Sequence, residues 1–102
     1  MIHSVYFWLK PDLSEADRQL FERELKLLGK LGYLKQALVG RPAKVTPRPV
    51  CDLSFDWNLV VHFHKDEDHD FYQNECPDHQ RFINTCKQLW SKVIIYDMTP
   101  ES

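Results

Sequence analysis

The sequence predicts an α+β domain in which helices cover one face of a four-stranded antiparallel sheet. Four stretches are rich in β-branched and aromatic residues, and amphipathic segments lie between them. Their order is strand, helix, strand, strand, helix pair, strand, which is the ferredoxin-like order. A chain of 102 residues has room for one such core, so we expect a single domain over residues 1–102.

The first strand is predicted over Ile2–Lys10, where Val, Tyr, Phe and Trp suit a pleated surface. A proline at position 11 breaks the strand. Because side chains alternate along a strand, four residues share one face: His3, Val5, Phe7 and Leu9.

The first helix is predicted to begin at Ser14, because Ser14 and Asp17 form a capping-box pattern. Phe21, Leu25 and Leu28 then recur at helical spacing. We expect this apolar stripe to cover the sheet.

Two further strands are predicted, over Tyr33–Val39 and Phe55–His64, with a proline-rich loop over Gly40–Leu53 between them. The second of these strands has the clearest alternation in the chain. It predicts one core-facing set of side chains: Trp57, Leu59, Val61 and Phe63.

The last third of the chain predicts a short helix over Asp66–Asn74, which Pro77 stops. Asp78 can cap another helix, and we expect Trp90 at the end of its apolar face. A final strand is predicted over Val93–Tyr96.

Composition sets several function classes aside. The net charge is -2 and Lys and Arg do not cluster, so the sequence predicts no nucleic-acid-binding surface. No apolar run comes close to the length of about 20 residues that is needed to span a bilayer. The 3 cysteines follow no CxxC spacing and are expected to be reduced thiols in a cytoplasmic protein. No phosphate-binding glycine loop, Ser-His-Asp order or dinucleotide fingerprint is present. A domain this small also leaves part of its apolar surface unburied, which favours pairing with a second copy.

Several stretches in a fixed order resemble the stress-responsive dimeric α/β-barrel (Dabb) family, and the resemblance covers nearly the whole chain. They are Ile2-His3 ahead of an aromatic strand, Leu9-Lys10-Pro11, Leu59-Val60-Val61-His62-Phe63, Tyr72 followed by Cys76-Pro77-Asp78-His79, and Trp90-Ser91-Lys92-Val93-Ile94-Ile95-Tyr96-Asp97. The resemblance implies a homodimer in which two sheets pack face to face as a barrel with the helices outside.

Plant polyketide cyclases of this family close a linear poly-β-ketone by an aldol reaction without metal or cofactor. By matching motif, His79 is then the catalytic base and Tyr72 orients the substrate. The same resemblance implies a pocket for an apolar small molecule, lined by His3, Phe7, Phe21, Phe82, Trp90, Val93 and Ile95. Trp57 and Ile83 replace smaller or polar residues of the cyclase at this pocket and are expected to narrow it.

The chemistry of the pair supports this assignment, since a neutral imidazole can take a proton next to a carbonyl and a phenol can stabilise the enolate. The chain departs from the family pattern in this region. Cys76 replaces the first His of His-Pro-x-His, and one extra residue separates Tyr72 from His79. The alternative is that His79 only packs beside the Asp78 helix cap.

The other histidines have simpler interpretations. His62 and His64 project from one face of their strand and could share a metal, but no partner ligand is evident, so no metal site or cofactor is predicted. His69 lies among acidic residues and is expected on a solvated surface.

Two functional hypotheses therefore follow. The first is a cofactor-free, polyketide-cyclase-like enzyme that uses a His base. The second is a non-catalytic dimer, related to stress, that binds a small molecule or has only a structural role.

Overall fold

The computed structural model describes all 102 residues and contains four strands and three helices. In chain order these are β1 (Ile2–Leu9), α1 (Glu15–Leu28), β2 (Gln36–Gly40), β3 (Trp57–His62), α2 (Asp66–Asn74), α3 (Pro77–Cys86) and β4 (Trp90–Met98). The strands form one antiparallel sheet in the order β2-β3-β1-β4. This confirms the predicted α+β class and the ferredoxin-like order of elements.

Several element boundaries differ from the sequence prediction, and β3 is shorter at both ends than the predicted Phe55–His64. β2 begins at Gln36 because the chain turns around Tyr33, whose ring packs edge-on against Phe71 at 5.3 Å between centroids. α3 ends at Cys86, so Trp90 belongs to β4, where it pairs with Leu9. β4 is longer than predicted because it pairs with the whole length of β1.

One face of the sheet, the inner face, is covered by the helices. The predicted inner residues of β1 are all buried, and so are those predicted for β3. Phe21 and Leu25 of α1 are completely buried against them. The helix starts as predicted, with the Ser14 hydroxyl accepting a hydrogen bond from the Asp17 amide at 3.1 Å. The hydrophobic core therefore lies entirely between this face and the helices.

The opposite face, the outer face, has no helix over it. Leu38, Tyr96 and Met98 lie there with 58%, 64% and 51% of their surface exposed. The loop between β2 and β3 turns back over part of this face, where Trp8 Nε1 donates to the Ser54 hydroxyl at 3.0 Å. None of the three helices combines the length and the apolar character needed to span a membrane.

Candidate functional site

The site begins with a contact between the first and last strands. The antiparallel register places His3 of β1 opposite Asp97 of β4, so both side chains project from the inner face. His3 Nδ1 lies 2.5 Å from Asp97 Oδ1; the His3 side chain is 3% exposed and the Asp97 side chain 43%. Because an ionised carboxylate only accepts, the hydrogen lies on Nδ1, and a neutral His3 ring keeps Nε2 free as an acceptor.

His79 and Tyr72 form the second part of the site. Tyr72 lies on α2, and His79 lies in the first turn of α3, which Pro77 begins. Both side chains are buried, and their rings are 4.2 Å apart between centroids with planes inclined at 38°. The structure thus brings together the two residues predicted as base and orienting group.

Burial keeps both of these groups neutral. Burial, with smaller contributions from the nearby His3 and His69, lowers the pKa of His79 to about 4. Burial also raises the pKa of the Tyr72 phenol, with a smaller contribution from Cys76. At neutral pH the site therefore presents an unprotonated imidazole beside a protonated phenol.

His3, His69 and Asp97 complete a group of side chains that we call the histidine cluster: His3, His69, Tyr72, His79 and Asp97. The His3 ring lies 5.2 Å from His69 and 5.9 Å from Tyr72 between centroids. Burial lowers the pKa of His3, the hydrogen bond and charge of Asp97 oppose this, and His69 adds to the lowering.

A cavity of about 210 Å³ lies beside the cluster, between the β1 and β4 end of the sheet and the helices. Ten of its 13 lining residues are hydrophobic, so the cluster supplies most of its polar groups. The lining includes these residues that the sequence singled out: His3, Phe7, Tyr72, His79, Phe82, Ile83, Trp90, Val93 and Ile95.

Phe21 and Trp57 do not line this cavity, in contrast to the sequence prediction. Phe21 is fully buried behind its wall, with its ring 5.2 Å from Phe7 and 5.7 Å from Phe82 between centroids. Trp57 lies at the opposite end of β3, where its ring stacks under the Arg41 guanidinium at 4.9 Å. Trp57 therefore does not close the cavity, whereas Ile83 forms part of its lining.

Sequence reasoning missed Asp97 and His69 as members of the site. His69 is half-buried, and its ring packs against Phe63 at 5.4 Å as well as against His3, so the expected solvated position is wrong. The signals were present: Asp97 continues the alternation of Val93 and Ile95, and His69 precedes Tyr72 by three residues on one helix.

His62 and His64 lie apart from this cluster. His62 is half-buried on the outer face, and His64 is exposed after the end of β3. The structure has a single group of three His, Cys, Asp or Glu side chains within metal-binding reach of one another, and it consists of His3, His69 and Asp97.

The chain matches the stress responsive A/B barrel domain (Dabb) family over residues 1–100 and belongs to that family. A Dabb family protein with a ferredoxin-like fold from Mesorhizobium loti superimposes with a TM-score of 0.74 at 19% identity, covering 99% of this chain and 96% of that one. A dimeric ferredoxin-like protein of unknown function from Thermobifida fusca gives 0.70 at 16%, covering 93% and 85%.

A third structure is the hydroxynitrile lyase from Passiflora edulis, with a TM-score of 0.69 at 17% identity, covering 93% of this chain and 87% of that one. Among curated protein sequences, none matches this chain significantly. At these identities the superpositions establish a shared fold.

Proposed function

We propose that this chain is one half of a homodimeric, cofactor-independent acid–base enzyme. Its reaction forms or cleaves a carbon–carbon bond of a small apolar substrate. The bond is at the carbon atom that carries the carbonyl or hydroxyl oxygen. The observation that supports this most directly is the neutral His79 in contact with Tyr72 at the polar side of an otherwise apolar cavity.

In the cleavage direction, His79 takes the proton of a substrate hydroxyl group. The oxygen lone pair forms the C=O bond, and the electrons of the adjacent C–C bond leave with the departing carbanion, which then receives the proton. The Tyr72 hydroxyl donates a hydrogen bond to the oxygen while it is negatively charged. That charge also raises the proton affinity of the neighbouring imidazole during the transfer, which offsets the low pKa of the free site.

The size of the cavity limits the substrate. Its volume of about 210 Å³ is below the roughly 300–1,000 Å³ of pockets for drug-sized ligands. An aromatic aldehyde or its adduct suits this volume better than a long-tailed polyketide. Aldol closure of a ketone and cleavage of a hydroxynitrile, the reaction in the name of the Passiflora edulis lyase, both belong to the proposed reaction class.

The dimer part of the proposal rests on the outer face. Leu38, Tyr96 and Met98 are more than half exposed there, and an apolar surface of this kind is typical of an interface between copies. A relative of the same fold is described as dimeric. Two outer faces packed together would enclose a barrel with the helices outside.

The test uses turnover of aromatic hydroxynitriles and of β-diketones, followed by mass spectrometry of the products. We expect His79→Gln to reduce kcat by about 10²- to 10⁴-fold, the usual contribution of a general base. Tyr72→Phe keeps the ring and removes the donor, so it should lower kcat with little change in the fold. His64→Gln is the matched control, because His64 is exposed outside the cluster.

A folded His79→Gln protein with full activity on a substrate of the wild type contradicts the proposal. The second hypothesis, a non-catalytic binding dimer, is favoured by the mainly apolar lining, which can retain a ligand without any proton transfer. It predicts that a ligand raises the Tm of wild type and His79→Gln equally and that no product forms.

A further inference from the structure

His3, His69 and Asp97 bring three metal-ligating side chains together at one edge of the cavity. One ligand atom of each lies within 4.8 Å of the other two. The three residues come from β1, α2 and β4, which are separate elements of the fold. Asp97 is 43% exposed, so an ion from solvent can reach the group.

The donor types suit a first-row transition metal. Two imidazoles and one carboxylate form a common ligand set for Zn²⁺, with a fourth position left for water. At metal–ligand distances of about 2.0–2.1 Å, tetrahedral ligand atoms lie about 3.4 Å apart. Rotation of His69 and Asp97, neither of which is buried, can bring the atoms to this spacing around the fixed His3 ring.

His69 provides a second observation. Its ring packs against His3 and Phe63, and no hydrogen bond within the protein occupies its nitrogens. Asp66, Asp68 and Asp70 lie close to it in sequence on the same helix. A cation approaching the site is therefore attracted by this helix, and the half-buried imidazole is available to bind it.

We propose that His3, His69 and Asp97 bind one divalent transition metal ion of the Zn²⁺ or Co²⁺ type. The ion takes the place of the hydrogen between His3 Nδ1 and Asp97, and that hydrogen moves to Nε2, so the neutral His3 ring binds the ion through Nδ1 with no net release of a proton. Bound metal joins α2 to the two strands and stabilises the folded chain. This site goes beyond the proposed function, because His79 and Tyr72 are not ligands and no substrate takes part.

The experiment is a Co²⁺ titration of the full chain after removal of metal by a chelator. We expect one Co²⁺ per chain with the visible d–d absorption of a site of low coordination number. His69→Gln and Asp97→Asn should each weaken binding at least about tenfold, since loss of even an outer-shell partner of a ligand costs 10- to 100-fold. His64→Gln and His79→Gln should bind as the wild type does.

Thermal unfolding with and without Zn²⁺ supplies a second readout. Zn²⁺ should raise the Tm of the wild type and of His64→Gln but not that of His69→Gln. Circular dichroism of the metal-free variants shows whether each has folded, and two independent ligand variants keep the test valid if one does not. Equal Co²⁺ affinity of His69→Gln and wild type, or no binding by a folded wild type, overturns the metal site. Neither result bears on the enzyme proposal, because no substrate is present.

Discussion

The two faces of the sheet are built from the same strands and differ in what covers them. On the inner face, Leu59 is 1% exposed under the helices, whereas Leu38 on the outer face is 58% exposed. Both residues are leucines on neighbouring strands, so their surroundings alone account for the difference. The inner face is completed by the chain's own helices, and the outer face offers apolar surface that the chain does not cover.

The largest expected effect compares these two leucines. Leu59→Ala should lower the free energy of unfolding by about 2–5 kcal/mol, because it leaves a cavity in the core. Leu38→Ala should change the stability of the monomer by less than about 0.5 kcal/mol. Urea unfolding at low protein concentration measures both values. Similar losses in the free energy of unfolding for Leu59→Ala and Leu38→Ala would show that the faces do not differ as described.

The second effect concerns the outer face in the proposed dimer. A double variant, Leu38→Lys with Tyr96→Lys, should weaken self-association at least about tenfold, equivalent to about 1.4 kcal/mol. Light scattering after size-exclusion chromatography gives the oligomeric state across a dilution series. Leu27→Lys is the control, because Leu27 is 46% exposed on α1, away from the outer face. A double variant that dimerises like the control contradicts the interface.

The smallest effect concerns pH and the inner face. His79 has a pKa of about 4 in the folded chain and about 6.5 when unfolded, so between these values the unfolded state binds more protons. Stability therefore falls as the pH is lowered from 6.5 towards 4, by about 1 kcal/mol after allowance for solvent screening. Thermal unfolding at pH 7 and pH 5 measures this change.

His79→Gln should show a smaller loss of Tm between these pH values, and His64→Gln should show the full loss. The lowered pKa of His3 acts in the same direction, so part of the loss is expected to remain in His79→Gln. An identical loss in the wild type and both variants would mean that another group is responsible.

The comparison of the faces also explains which features the sequence could predict. Alternation in β1 and β3 is a local pattern, and it identified the buried side correctly for Phe7 and Val61. The register between strands is not local, so the contact between His3 and Asp97, 94 residues apart, could not be found without it. His69 was misassigned because its acidic neighbours in sequence suggested solvent, while helical spacing places it beside Tyr72 and the sheet.

The pocket residues taken from the family resemblance show the same limit. Phe82 and Val93 line the cavity, whereas Trp57 lies away from it at the end of β3. A matched strand position identifies the face on which a side chain lies. Its place along the strand, and its partners such as Arg41, depend on the local packing of this chain.

The pairing of β1 with β4 sets an order of events during synthesis. At about 5–20 residues per second, roughly 5–20 s separate the addition of His3 from that of Asp97. Until β4 has been made, one edge of β1 has no strand to pair with, although β3, which is made earlier, can occupy the other edge. The hydrogen bond between His3 and Asp97 therefore cannot form until β4 has been made, and a chain truncated just before Asp97 keeps all the buried core residues but has an incomplete site.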